Sequence, residues 1–199
     1  VYRFLPHKTQ GEGFFLAALR KPEEDREADT DLFSPKKKKS KGDTAASPVS
    51  KENLAIAKSW LASSDEYNLL VNGTAITAFP VYYQNDLALL RQSLRIVQAG
   101  TEVAEVKGKD LIPAHGLAMS RLLKTSVFST EALTYEQAIA YLRKEAIVLP
   151  PSVPKGYVLV TYKEIPLGFV KNIGNRANNL YPQEWRIRSG YLPDDIRTL

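Results

Sequence analysis

Between Lys155 and Arg188 the chain carries the bases Lys155, Lys163, Lys171, Arg176, Arg186 and Arg188 against only Glu164 and Glu184. Interleaved with them are the amides of Asn172, Asn175, Asn178 and Asn179 and the rings of Tyr181 and Trp185. Ammonium and guanidinium groups neutralise phosphates, carboxamides reach base edges and sugar hydroxyls, and flat rings stack on unpaired bases. The combination points to recognition of single-stranded or loop RNA. The same residues also suit a plainer arrangement: "GNRANN" as a turn exploiting asparagine's tolerance of left-handed backbone, Tyr181 and Trp185 in the core, and the bases as ordinary surface. Composition alone does not choose between the two.

Other chemistries are thinly represented. The 199 residues contain no cysteine and only two histidines, His7 and His115. That excludes disulfides, thiolate metal sites and thiol nucleophiles, and disfavours a histidine-rich metal site. There is no glycine-rich phosphate loop, dinucleotide fingerprint, serine elbow or paired-histidine zinc motif. Glu12 in "GEG" and His7 beside Lys8 read as loop surface, and His115 as a capping or packing residue near a turn. No apolar run reaches the roughly 20 residues that span a bilayer and no secretion signal opens the chain, so a cytoplasmic location without membrane contact is expected. The net charge of +5 permits a polyanionic partner without demanding one.

The elements that must position these residues are mixed. Apolar runs at Val1–Leu5 and Phe14–Leu19 predict a hairpin, the second strand reading as buried on both faces. Residues 22–49 change character: an acidic block precedes "PKKKKSKGDTAASP", a linker by composition whose Lys36 to Lys39 and Lys41 could touch phosphates nonspecifically. Ser50 reads as a helix N-cap before Leu54, Ala57 and Leu61, and "NDLALLRQ" as a short helix. "YNLLVN", "TAITAFP", "LRIVQAG" and "TEVAEVKG" predict strands. Thr134 and Gln137 form a capping-box pattern with Leu133 and Ala138 as a hydrophobic staple, opening a helix with Tyr135, Ala138, Ile139 and Leu142 on one face. "YVLVTY" and "IPLGFV" predict a second hairpin, with Leu167, Phe169 and Ile187 inside a small terminal barrel. The expected class is α+β: a hairpin over 1–21, a linker over 22–49, a mixed α/β domain over 50–130 and a small β-barrel over 131–199.

Three segments carry a family resemblance in order. "RFLPHKTQGEGFFLAALRK" resembles the end of the catalytic domain of the Sun-type S-adenosylmethionine-dependent RNA cytosine-C5 methyltransferases, whose closing hairpin ends in an "EGFF" strand. "LRIVQAG", "EVKGK" and "IPAHGLAMS" resemble the middle region of members acting on small-subunit ribosomal RNA, and "LGFVKNIGNRANNLYP" resembles their terminal PUA-like domain. The resemblance implies a parent enzyme that uses S-adenosylmethionine to methylate C5 of a ribosomal cytosine. The first hairpin would then close its Rossmann-like sheet. The family's two cysteines and its cofactor loop are absent from these residues, and the chain begins inside a strand without methionine. The expectation is therefore an RNA-binding region that binds no cofactor itself, acts as a monomer and serves an upstream catalytic domain of the same polypeptide. Lys155, Lys163, Lys171, Asn172, Arg176, Asn178, Asn179, Arg186 and Arg188 are its expected RNA contacts. A protein-interaction module in ribosome assembly remains the alternative, and an independent enzyme a distant third.

Overall fold

The computed structural model describes residues 2–4, 14–16 and 49–189. The chain divides into two compact units, Val1–Thr44 and Ala45–Leu199. In the first, β1 (Tyr2–Phe4) pairs antiparallel with β2 (Phe14–Leu16), Arg3 opposite Phe15, as the hairpin reading requires. The expected linker up to Pro48, its lysines, His7 and Glu12 lie outside the described residues, while Val49 is buried in the second unit.

The second unit opens with α1 (Lys51–Ser59), where Ser50 Oγ accepts from the Asn53 N–H at 3.1 Å and so satisfies one of the donors a helix start leaves free. Then β3 (Tyr67–Asn72), β4 (Ala75–Pro80), β5 (Thr101–Lys107) and β6 (Asp110–Pro113) form an antiparallel meander in chain order. Between β4 and β5 lies α2 (Gln84–Ser93). "LRIVQAG" is not the expected strand: residues 94–100 are irregular, with Leu94 58% and Val97 94% exposed. Apolar type alone cannot make a strand where no neighbour pairs its backbone.

After the single turn α3 (His115–Ala118), the chain forms β7 (Ser129–Ala132), α4 (Tyr135–Leu142), β8 (Gly156–Tyr162), β9 (Ile165–Asn172) and β10 (Ala177–Asn179). The sheet order is β10-β9-β8-β7, with β7 parallel to β8 through the α4 crossover. The capping box at Thr134 is complete: Thr134 Oγ1 accepts from the Gln137 N–H, and Gln137 Oε1 from the Thr134 N–H. The predicted hairpin closes through Lys163 and Glu164, with φ of 47° and 67°, the signature of a two-residue type I′ turn between Tyr162 and Ile165. Among the described residues β7 and β10 do not pair, so the sheet is open where a barrel was expected.

β8 and β9 are buried on both faces, which explains their nearly continuous apolar runs. Val158, Val160 and Val170 pack with Leu133, Ala138 and Tyr141. Leu159 and Phe169 turn the other way, into the core of the meander with Ile76, Val103 and Leu117. Trp60, Phe128 and Phe169 continue that core as a chain of tilted rings, 5.2 Å and 4.8 Å between successive centroids. The two sheets therefore share one interior. Phe169 and the partly buried Leu167 sit inside as expected, but Ile187 is 38% exposed, because its stretch lies over the end of α4 rather than within a barrel. No described helix is long and apolar enough to cross a membrane.

Candidate nucleic-acid interface

The bases singled out in the sequence do not form one cluster. Lys155 and Arg176 lie at one end of the C-terminal sheet, where Gly156 pairs with Asn172 and the Ile173 N–H donates to the Arg176 carbonyl. Gly174 has φ of +104°, and a Cβ there would stand 2.8 Å from Lys155 Cε, so the turn depends on glycine both for its backbone and for the lysine stem lying across it. Lys163 occupies the hairpin turn at the far end of β8, about 20 Å away at the usual strand rise, with its ammonium 5.8 Å from the Tyr162 ring centroid. Lys155, Lys163, Arg176, Asn178, Arg186 and Arg188 are all exposed.

Three of the singled-out side chains are engaged within the protein. Asn172, only 6% exposed, donates to the Val153 and Pro154 carbonyls at 3.0 and 3.1 Å and accepts from the Gly174 N–H at 2.9 Å. Asn179 donates to the Tyr141 and Glu145 carbonyls at the end of α4 and accepts from the Tyr181 N–H. Both amides hold turns together, since the alternative is buried backbone without partners. Lys171 Nζ meets Asp110 Oδ2 at 2.6 Å and lies 5.5 Å from the Tyr157 ring centroid; its bond to Asp110 raises its pKa.

The segment after β10 is fastened to the end of α4. Lys144, in left-handed backbone with φ of 67°, donates to the Tyr181 carbonyl, and the Ile187 N–H donates to the Leu142 carbonyl at 2.9 Å. Trp185 is 63% exposed, contrary to a core reading of this tryptophan. The His115 ring stands edge-on to Tyr181 and Trp185, at 5.1 and 5.3 Å between centroids. Its Nδ1 is buried without a hydrogen-bond partner, and burial, with help from the Lys144 charge, lowers its pKa.

His115 and Trp185 border a cleft of about 1360 Å³ between the outer face of the meander and residues Leu180, Pro182, Glu184 and Trp185. Arg91, Lys107 and Lys144 line it together with Glu102, Glu105 and Glu184, a balanced charge. Glu102 has its pKa raised, first by burial and then by Glu105. The cleft exceeds the roughly 300–1,000 Å³ that encloses one small molecule. It suits an extended ligand with stacking groups. Sequence reasoning passed over Arg91, Arg143 and Lys144, which lie outside the basic stretch from Lys155 to Arg188. Among the described residues no group of acids and histidines is arranged to hold a metal.

Residues 128–187 match the family model described as the methyltransferase RsmF PUA domain. Over 188 residues, 91% of this chain, it is 27% identical to the ribosomal RNA small subunit methyltransferase F of Shigella boydii serotype 4 (strain Sb227) and 28% identical to that of Enterobacter sp. (strain 638). The protein of the same name from Shewanella piezotolerans (strain WP3 / JCM 13877) is 27% identical over 90% of the chain. The chain spans about 36% of the length of these relatives. The resemblance drawn from "EGFF", "IPAHGLAMS" and "GNRANN" thus leads to RsmF-like methyltransferases, and the C-terminal sheet falls within the residues that match their PUA-domain model.

Proposed function

We propose that this chain is the RNA-docking region of a ribosomal RNA cytosine-C5 methyltransferase, presenting small-subunit RNA to a catalytic domain in the cytoplasm. The observation that carries the reading is Trp185. It is a large ring left 63% exposed in the region matched by the PUA-domain model, lining a cleft of about 1360 Å³ and followed in the chain by Arg186 and Arg188. An exposed indole beside guanidinium groups is what a strand of unpaired nucleotides stacks on and pairs its phosphates with. In this reading Lys155, Lys163, Arg176, Asn178, Arg186 and Arg188 contact RNA directly, Lys171 lends charge while tied to Asp110, and Asn172 and Asn179 shape the surface.

The β1–β2 hairpin would be the closing hairpin of the catalytic sheet, 22–49 the linker, and 50–130 and 131–199 the middle and PUA-type domains of one RNA-presenting body. Methyl transfer would draw on S-adenosylmethionine. The described residues do not fit that group: they include no glycine-rich turn leading from a strand to a helix start, and the chain has no cysteine to attack a base.

Titration of small-subunit RNA binding against salt tests the proposal. Affinity should fall linearly on logarithmic axes as counterions are released. A flat slope, or no binding at low salt, would refute it. The protein-interaction alternative predicts instead that neutralising Arg176, Arg186 and Arg188 together leaves partner binding intact.

A further inference from the structure

We propose that Arg143, Arg186 and Arg188 form a single anion site for a phosphate group, occupied by a phosphodiester of the bound RNA strand. The occupant rests on the RNA-docking reading; the anion site rests on geometry alone. The three arginines line one cleft of about 300 Å³, together with Glu145, Ile187 and Ser189.

The local backbone explains why they converge. Arg186 has polyproline-II backbone, with φ of −59° and ψ of 142°, and the Ile187 N–H donates to the Leu142 carbonyl, which holds the stretch against the end of α4. The arginines on either side of Ile187 both line the cleft beside it. Arg143 caps the C-terminal end of α4, and its Nη2 donates to the Ser189 carbonyl at 2.9 Å, which fixes its guanidinium against the stretch. Its Nε is buried and has no hydrogen-bond partner.

Among the described residues the three arginines outnumber the acids at the cleft three to one. Among the described residues no carboxylate lies within ion-pair distance of any of the three guanidiniums, and Glu145 is the only acid lining the cleft. A helix C-terminus ordinarily repels anions through its free carbonyls. Here the carbonyls of Ile139, Ala140, Tyr141 and Leu142 accept from Arg143, Glu145, Asn179 and Ile187 respectively, so the helix end does not present them to a ligand. Guanidinium forks match the oxygens of a phosphate in pairs, which makes arginine rather than lysine the fitting residue.

Position ties the site to the larger cleft. Adjacent residues separate the two: Lys144 and Trp185 line the large cleft, Arg143 and Arg186 the small one. A strand crossing this ridge would set a base against Trp185 and a phosphate among the arginines.

The test uses the whole chain labelled at arginine side-chain nitrogens, titrated separately with inorganic phosphate and with a short single-stranded RNA. The Arg186→Gln, Arg188→Gln double variant and Arg143→Lys, which keeps charge but loses the fork, are examined alongside, each checked for unchanged thermal unfolding. The expected result is that both ligands shift the Nε–H signals of all three arginines. The double variant should lose about tenfold in RNA affinity and flatten the salt slope by roughly one to two, and Arg143→Lys should weaken phosphate binding. Signals that move with inorganic phosphate but not with RNA would overturn the RNA occupant and leave a free-phosphate site. Salt-dependent RNA binding with wild-type slope and affinity in the double variant would overturn the site while sparing the docking function.

Discussion

The ammonium of Lys171 on β9 lies 2.6 Å from the Asp110 carboxylate on β6, an ion pair joining the C-terminal sheet to the meander. Lys171 is therefore a neutralised base, unlike Arg176 or Arg186. Lys171→Gln should weaken RNA binding less than Arg186→Gln, and Asp110→Asn should strengthen it by freeing the charge. Salt titrations of the three variants check this ordering, and a Lys171→Gln loss equal to that of Arg186→Gln would contradict it.

Trp185 and the buried Trp60 are the chain's two tryptophans. RNA should quench the Trp185 emission and leave that of Trp60, 6% exposed, nearly unchanged. Trp185→Ala should abolish the quenching and cost about 1–3 kcal/mol of RNA affinity, the usual worth of one stacked base. Fluorescence titration of the wild type and of this variant is the measurement.

Gly168 has φ of +144°, and a Cβ there would overlap the Tyr141 hydroxyl and lie 2.9 Å from His115 Nδ1. Gly168→Ala should destabilise the second unit by about 2–4 kcal/mol, combining backbone strain with overpacking. Tyr141→Phe should cost less, about 1 kcal/mol, since the Phe169 carbonyl that accepts from Tyr141 also accepts from the Leu180 N–H. Chemical denaturation resolves the two.

Burial lowers the His115 pKa below its ordinary value near 6.5, and the Lys144 charge adds to the effect. Above that value His115 is neutral in both the folded and the unfolded chain and contributes no pH dependence. As pH falls through it, the unfolded chain takes up the proton first and stability is lost until the folded pKa is reached. His115→Gln should remove this part of the acid sensitivity, visible as a shallower fall of melting temperature below about pH 6.5.

Thr134 anchors the reciprocal cap at the start of α4. Thr134→Ala should cost about 1 kcal/mol, and Thr134→Ser much less, as equilibrium unfolding would report.

Local signals were legible wherever the chemistry was local. The Ser50 cap, the Thr134 box and the β8–β9 hairpin depend on residues a few positions apart, and they formed as read, whereas the turn in "GNRANN" takes its positive φ at Gly174 and not at an asparagine. "LRIVQAG" failed because strand formation needs a partner backbone that apolar composition does not supply. Ile187 was misread as interior because its exposure depends on a contact with Leu142, 45 residues earlier in the chain.

By itself, the sequence determined the residue types that suit RNA, the mixed α+β class, the lack of cysteine chemistry and the family resemblance. Tertiary structure decided which of those residues remain available. Asn172, Asn179 and Lys171 look alike in sequence to Asn178 and Arg176, yet the first three meet Val153, Tyr141 and Asp110. It also gathered Arg143 with Arg186 and Arg188, and left Trp185 outside the core. The physical reason is that a polar side chain's free valence depends on what lies within about 3 Å of it, and those neighbours come from distant parts of the chain.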